Sequence, residues 1–138
     1  MKKTFYIFLL LLIFAAGCSS SKVGLSGKVT FTDGTPLSIG EIYFETDTFL
    51  ARATIKPDGT FTVGSLKESD GLPTGTYRVS IVGAFRKLDG MDETGMPLQE
   101  LLIDEKYTSG TTSNLTCTVP AENGKFNITV ERFKKKEQ

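Results

Sequence analysis

Two cysteines, Cys18 and Cys117, carry the side chains best suited to covalent chemistry in this sequence of 138 residues. A cysteine thiolate is a nucleophile that accepts a lipid, forms a disulfide or attacks a substrate. Histidine is absent from the sequence. Because Ser-His-Asp and Cys-His catalysis both need an imidazole base, the composition excludes them, together with any zinc site that needs an imidazole ligand.

Cys18 follows a segment with the features of an export signal. Lys2 and Lys3 form a basic start, residues 5–16 are 12 uninterrupted apolar residues, and Gly17 is a small residue directly before the cysteine. A basic start, a short apolar run and a small-residue cleavage site are typical of a secretory signal peptide. The apolar run is too short to cross a bilayer core of about 30 Å, which needs about 20 residues.

The sequence AAGC at residues 15–18 resembles the bacterial lipobox, with Ala15 where leucine is usual. The resemblance implies cleavage between Gly17 and Cys18 and a diacylglycerol on the Cys18 sulfur. Each buried methylene contributes about 0.8 kcal/mol, so two or three acyl chains anchor a protein durably. Ser19 in place of aspartate favours the outer membrane if the organism is Gram-negative. An ordinary signal peptide that ends near a cysteine is the alternative.

The signal peptide sets the domain organisation. We predict a signal peptide over residues 1–17, a lipidated tether over 18–22, one domain over 23–133 and a basic tail over 134–138. Loss of two lysines with the signal peptide leaves 14 basic and 16 acidic side chains. This weakly negative balance gives no electrostatic reason to expect nucleic acid as a partner.

Alternation of apolar and polar residues with a period of two dominates the domain, and it predicts an all-β fold, a seven-stranded antiparallel β-sandwich. The predicted strands are 23–32, 40–46, 50–56, 60–64, 76–84, 114–119 and 125–132. The predicted inward positions are Val23, Leu25, Val29, Phe31, Ile42, Phe44, Ala51, Ala53, Ile55, Phe61, Val63, Tyr77, Val79, Ile81, Leu115, Cys117, Val119, Phe126, Ile128 and Val130. Cys117 is thus expected to be a small buried hydrophobe.

The connection between residues 85 and 113 is long for a loop without secondary structure. Pro97 stands at a possible helix start, and leucines at 98, 101 and 102 have helical spacing. We predict a loop draped over the edge of the core, because short helices are marginal without packing. One or two helical turns within residues 96–107 are the alternative.

Four short motifs punctuate the predicted strands: GKV at 27–29, GTPL at 34–37, DGTF at 58–61 and LPTGTYRV at 72–79. Together they resemble the carboxypeptidase regulatory-like domain, which has the transthyretin (prealbumin-like) fold. The segment at 103–119 is similar to one in small lipoproteins that carry this domain, with Asp104 where proline is usual. The resemblance implies a fold without a catalytic motif. Tyr77 is expected to insert its ring in the core and to hydrogen-bond a loop carbonyl, as a tyrosine corner does.

We predict no enzymatic activity and no cofactor. The prealbumin-like enzymes, hydroxyisourate hydrolase and the intradiol dioxygenases, depend on histidine, which this chain lacks. Oxygen-rich loops hold calcium, but the acidic residues of the connection do not have the spacing of an EF-hand loop, and we predict no metal site. These acidic residues are Asp89, Asp92, Glu93, Asp104 and Glu105.

A covalent cross-link is a further possibility that the pattern disfavours. Cna-B domains of similar shape form a buried Lys-Asn isopeptide bond between their first and last strands. Lys28 and Asn127 lie on suitable strands, but alternation places both on the polar face. We therefore predict no such bond.

The sequence thus predicts an exported lipoprotein of the cell envelope, anchored in the membrane through Cys18. Its domain is expected to have a structural or binding role, with a protein or a glycan of the envelope as partner. A carbohydrate-binding module is the alternative, because aromatic rings suit sugar rings. The aromatic side chains expected to be partly exposed are Tyr43, Phe85, Tyr107 and Phe133.

Overall fold

The fold is all-β, as the sequence predicts. A computed structural model of the chain describes residues 21–67 and 69–135, and these residues form nine strands and two 3-10 turns. The strands are β1 Ser26–Phe31, β2 Glu41–Glu45, β3 Leu50–Thr54, β4 Thr60–Thr62, β5 Gly75–Val82, β6 Phe85–Met91, β7 Pro97–Leu101, β8 Leu115–Val119 and β9 Ile128–Val130. The 3-10 turns span Glu105–Thr108 and Glu122–Gly124.

Two larger sheets and one hairpin contain all the strands of the described residues. The first sheet has the strand order β4-β1-β9, the second has the order β3-β2-β5-β8, and β6 and β7 pair only with each other. Both larger sheets contribute to a single buried apolar cluster. Phe44 of the second sheet lies 6.2 Å from Phe61 of the first and 6.3 Å from Phe126, measured between ring centroids. The two sheets therefore pack face to face, consistent with a sandwich.

The inward positions follow the predicted alternation closely. Of the 20 predicted core positions, only Val23, Leu115 and Phe126 are not fully buried, and these three pack partly buried against the core. Each strand has one face exposed to solvent and one face buried, so polar and apolar side chains alternate along it with a period of two. The buried positions of such strands can therefore be predicted from the sequence. The Tyr77 hydroxyl donates to the Pro73 carbonyl oxygen at 2.8 Å, which confirms the expected role of this side chain.

The number of strands predicted from the sequence is wrong. Each of the seven predicted strands has a counterpart, and the hairpin β6–β7 adds two more within residues 85–113. The prediction of a draped loop is wrong over residues 85–101, and of the helical alternative over 96–107 only the 3-10 turn at Glu105–Thr108 is present, after the end of β7. The hairpin was missed because all seven residues of β6 are exposed, so neither of its faces shows the alternation of a half-buried strand.

The prediction that all strands pair in an antiparallel direction is also wrong. β9 runs parallel to β1, with Val29 opposite Ile128 and Phe31 opposite Val130. The chain leaves β8 in the second sheet, crosses through the 3-10 turn at Glu122–Gly124 and enters the first sheet beside the start of β1. There, Phe126 N donates to the Ser26 carbonyl oxygen at 2.9 Å. Because β9 begins where β1 begins, the two strands must run in the same direction.

The molecule has two distinct ends. We define the entry end by residues 22–24 and Leu72, where Val23 N donates to the Leu72 carbonyl oxygen at 2.7 Å. β5 begins at Gly75, close to the entry end, and its 8 residues lead to the hairpin. At about 3.3 Å per residue, β5 separates the entry end from the base of the hairpin by about 26 Å.

Candidate functional site

The residues predicted to carry the lipid and the cleavage site, Cys18 and Gly17, lie outside the described residues. The described chain begins at Ser21, and its first pairing is the bridge between Val23 and Leu72. A candidate site must therefore be sought on the surface of the domain itself.

The hairpin, residues 85–101, is the most apolar exposed part of the described chain. Five of the eight exposed large apolar side chains of the described residues belong to it, with Met91 72% and Met96 62% exposed. Isolated two-stranded hairpins are marginally stable in water, and a concentration of exposed apolar side chains on one element favours an interaction site. The five side chains are Phe85, Leu88, Met91, Met96 and Leu98.

The turn of the hairpin is built by Asp92. Its Oδ1 accepts hydrogen bonds from Thr94 N at 2.8 Å, from Thr94 Oγ1 at 2.6 Å and from Met96 N at 3.0 Å. These hydrogen bonds lower the pKa of Asp92, and the bond from the Thr94 hydroxyl has the largest effect. The carboxylate is therefore charged at neutral pH, and it holds the two methionines on either side of the turn.

The charge of the hairpin is negative. It carries four acidic and two basic side chains, of which Arg86 pairs with Glu100 across the strands. Asp89 and Glu93 form no ion pair with any described residue. The tip of the hairpin thus combines exposed apolar side chains with uncompensated negative charge.

A broad, open concavity of about 1050 Å³ lies at the base of the hairpin. Phe85, Leu88 and Leu101 of the hairpin line one side of it, and Phe133 lines another. Phe133 is held there because its backbone N donates to the Leu102 carbonyl oxygen at 3.1 Å. The concavity extends the apolar surface of the hairpin onto the body of the domain.

The four aromatic residues proposed for sugar binding do not form one site. Phe85 and Phe133 line the same concavity. Tyr43 lies half-buried on another face, where its hydroxyl donates to Glu41 Oε2 at 3.2 Å. The expectation for Tyr107 is wrong, because the 3-10 turn at Glu105–Thr108 carries this ring into the core.

Two of the five acidic residues of the connection, Asp92 and Asp104, hold turns of the backbone. Besides Asp92, Asp104 accepts a hydrogen bond from Lys106 N at 3.0 Å and so caps the first 3-10 turn. Among residues 21–67 and 69–135, no three His, Cys, Asp or Glu side chains are grouped so as to hold a metal ion.

The two other groups considered for chemistry are placed as predicted. Cys117 is buried, and desolvation raises the pKa of its thiol to about 11, so it is protonated at neutral pH. Lys28 and Asn127 are both exposed, and Lys28 N donates to Asn127 Oδ1 at 3.1 Å. Neither arrangement resembles an activated nucleophile or a buried isopeptide pair.

Sequence reasoning missed a second surface, a groove of about 480 Å³ between β3 and the turn after β4. Arg52, Lys56 and Lys67 line it, and none of them forms an ion pair with a described residue. Leu66 stands at its rim with its side chain 87% exposed. No sequence signal indicates this groove, because its residues come from separate strands and a turn.

Comparison with known proteins gives no relative: no family model, no curated protein and no solved structure matches the chain. Within the part of the chain that the structure describes, no helix has the length and apolar character that crossing a membrane requires.

Proposed function

We propose that this protein is an exported bacterial lipoprotein, held at the cell envelope by a diacylglycerol on Cys18, whose non-catalytic domain binds a partner. The observation that carries the anchor is the sequence AAGC after a basic start and an apolar run. The order of the sequence is compatible with it, since the first pairing of the described residues, between Val23 and Leu72, comes five positions after Cys18.

The domain is proposed to be of the prealbumin-like type. The support comes from the motifs at the turns: Gly34 and Gly59 have φ angles of +84° and +83°, which disfavour a residue with a Cβ. At Gly59 a Cβ would also lie 2.7 Å from the Val29 carbonyl oxygen. Gly75 of the motif at 72–79 has a φ of +156°, so three of the four motifs that carry the resemblance have a conformational reason for their glycine.

The binding surface is proposed to be the hairpin, and its partner an envelope protein. Methionine and leucine side chains suit an apolar protein surface, and methionine adapts readily to the shape of a partner. Asp89 and Glu93 at the tip favour a partner whose apolar patch is bordered by lysine or arginine. The outer edges of β6 and β7 also present backbone groups to which an extended segment of a partner could add.

Photo-cross-linking in intact cells tests this surface. A photoreactive amino acid at Leu98 should give a discrete adduct with a protein, and the same residue at Thr116, on the exposed side of β8, should give none. A Met91→Glu change in the Leu98 variant should abolish the adduct. An adduct of the mass of a second copy of this chain would identify self-association instead, and equal labelling from both positions would refute the proposal.

Carbohydrate binding is the second candidate, because Phe85 and Phe133 line the same concavity. Binding to envelope glycans should then be lost in the Phe85→Ala variant and retained in Tyr43→Ala. Retention of glycan binding in Phe85→Ala would refute this site.

Cell fractionation tests the anchor separately. The Cys18→Ser variant should leave the membrane fraction, whereas Cys117→Ala should remain with the wild-type protein in the membrane. Retention of Cys18→Ser in the membrane fraction would refute the anchor.

A further inference from the structure

The proposed anchor lies very close to the folded domain. Lys22, the residue before the first paired position, lies four positions after Cys18. A fully extended chain spans about 3.3–3.6 Å per residue, so the Cα atoms of Cys18 and Lys22 are at most about 14 Å apart. The entry end is therefore confined to the immediate neighbourhood of any membrane that holds the lipid.

Lys22 is tied to a hydrogen-bonded turn at this end. Its ammonium group lies 2.5 Å from Asp70 Oδ2. Asp70 also accepts hydrogen bonds from the backbone N of Ser65 at 2.6 Å, Leu66 at 3.1 Å and Lys67 at 3.2 Å. The turn Ser65–Lys67, which we call the Leu66 turn, is thus fastened to the residue at which the tether ends.

The Leu66 side chain has no packing role in the domain. It is the most exposed of the eight exposed large apolar side chains in the described residues, although the backbone beneath it is held by Asp70. A leucine presented to solvent by a fixed turn, with a lysine next to it, is suited to the boundary of headgroups and acyl chains. There the apolar side chain is buried and the lysine remains at the headgroups.

We propose that the Leu66 turn is the surface on which the domain rests on the membrane that holds its lipid. Leu66 enters the interface, and Lys67 lies at the level of the headgroups. This inference rests on the proposed anchor at Cys18. The short tether keeps the entry end close to the membrane, and insertion of the Leu66 turn determines which side of the domain faces the lipid.

The contact depends on apolar insertion more than on net charge. Lys22, Lys67 and Lys125 lie toward the entry end, but Asp70 and Glu122 lie there too. Neutral and anionic headgroups should therefore both accept the turn.

Membrane contact at the entry end would orient the whole molecule. Because β5 separates the two ends, the hairpin would point away from the membrane and extend into the envelope space. The apolar surface proposed for a partner would then be displayed at a distance from the lipid, rather than lie against it.

Fluorescence in vesicles tests this orientation. The full chain, lipidated in cells, is purified as the Leu66→Cys and the Ser38→Cys variants, and each is labelled with a polarity-sensitive thiol probe. Ser38 is an exposed control that lines a concavity together with Phe85 and Arg86 of the hairpin, and Cys117 is too buried to react. Both proteins are reconstituted into vesicles of phosphatidylcholine and phosphatidylglycerol.

We expect the probe at position 66 to show blue-shifted emission and several-fold weaker quenching by aqueous iodide than the probe at position 38. Equal quenching at the two positions, in proteins that float with the vesicles, would overturn the inference and leave the anchor intact. Proteins that lack the lipid mass and do not float with the vesicles would overturn the proposed anchor, and this inference with it.

Discussion

Gly27 shows how a single position controls the packing of two strands. A Cβ at this position would lie 1.9 Å from the Phe126 carbonyl oxygen and 2.8 Å from Cζ of Phe61. The neighbour at 1.9 Å is backbone, so it has little freedom to yield. Gly27 belongs to the GKV motif that carries part of the family resemblance, and the structure gives this glycine a physical reason.

We expect Gly27→Ala to lower the free energy of unfolding by at least about 1–3 kcal/mol, because overpacking forces backbone shifts. Gly24→Ala is the matched control, since a Cβ there has no atom within 4 Å. Urea unfolding followed by far-UV circular dichroism measures both. Equal midpoints for the two variants would contradict the contact between the strands.

Cys117 offers a second test at the scale of the residue. Its side chain is 1% exposed, and desolvation raises the pKa of the thiol from 9.0 to about 11. We expect no reaction with a thiol reagent at pH 8 in the native Cys18→Ser variant, and one reacting thiol after denaturation. Rapid reaction of the native protein would show that this side chain is not packed in the core.

Asp70 makes stability at the entry end depend on pH. The ion pair with Lys22 and the backbone donors of Ser65 and Leu66 lower the pKa of Asp70 below its ordinary value of 3.8. The charged form is thus favoured in the folded state, so its contribution is present above about pH 4 and is lost as the pH falls below the ordinary value.

We expect the unfolding free energy of the wild-type protein to decrease more steeply between pH 5 and pH 2 than that of Asp70→Asn. Urea titrations at a series of pH values measure the difference. Parallel pH profiles would show that the Asp70 carboxylate does not hold the Leu66 turn.

At the scale of elements, strands with one buried face were predicted and the hairpin was not. Apolar and polar residues alternate along a strand only where one face of the strand is buried and the other is exposed. This holds for β2 and β3, whose inward residues are buried and whose outward residues are not. In β6, no side chain is buried, so the pattern carries no such information. The turn signal of Asp92 to Gly95 was present in the sequence, but it was interpreted as part of a loop.

The hairpin is expected to be dispensable for the stability of the domain. Replacing residues 86–100 by Asn-Gly, a pair that favours a two-residue turn, should change the free energy of unfolding by less than about 1 kcal/mol, because the removed residues are almost all exposed. Urea unfolding measures the change. A loss of cooperative unfolding in the shortened protein would show that the hairpin is part of the core.

At the scale of the whole molecule, the sequence predicted an all-β fold but not the direction of its last strand. The direction of β9 depends on which end of β1 it reaches, and contacts between residues 99 positions apart decide this, such as Lys125 Nζ to Ser26 Oγ at 3.1 Å. Local alternation does not encode such distant pairings. The concavity beside the hairpin likewise combines segments far apart in the sequence, with Phe133 beside Phe85 and Leu101.

The central claim, a lipid on Cys18, is tested most directly by the mass of the N-terminal peptide of the protein from cells that express the full chain. We expect a peptide that begins at Cys18 and carries a thioether-linked diacylglycerol. A protein recovered from the cytosol with Met1 and the following 16 residues still attached, or an exported protein with an unmodified Cys18 thiol, would contradict the account.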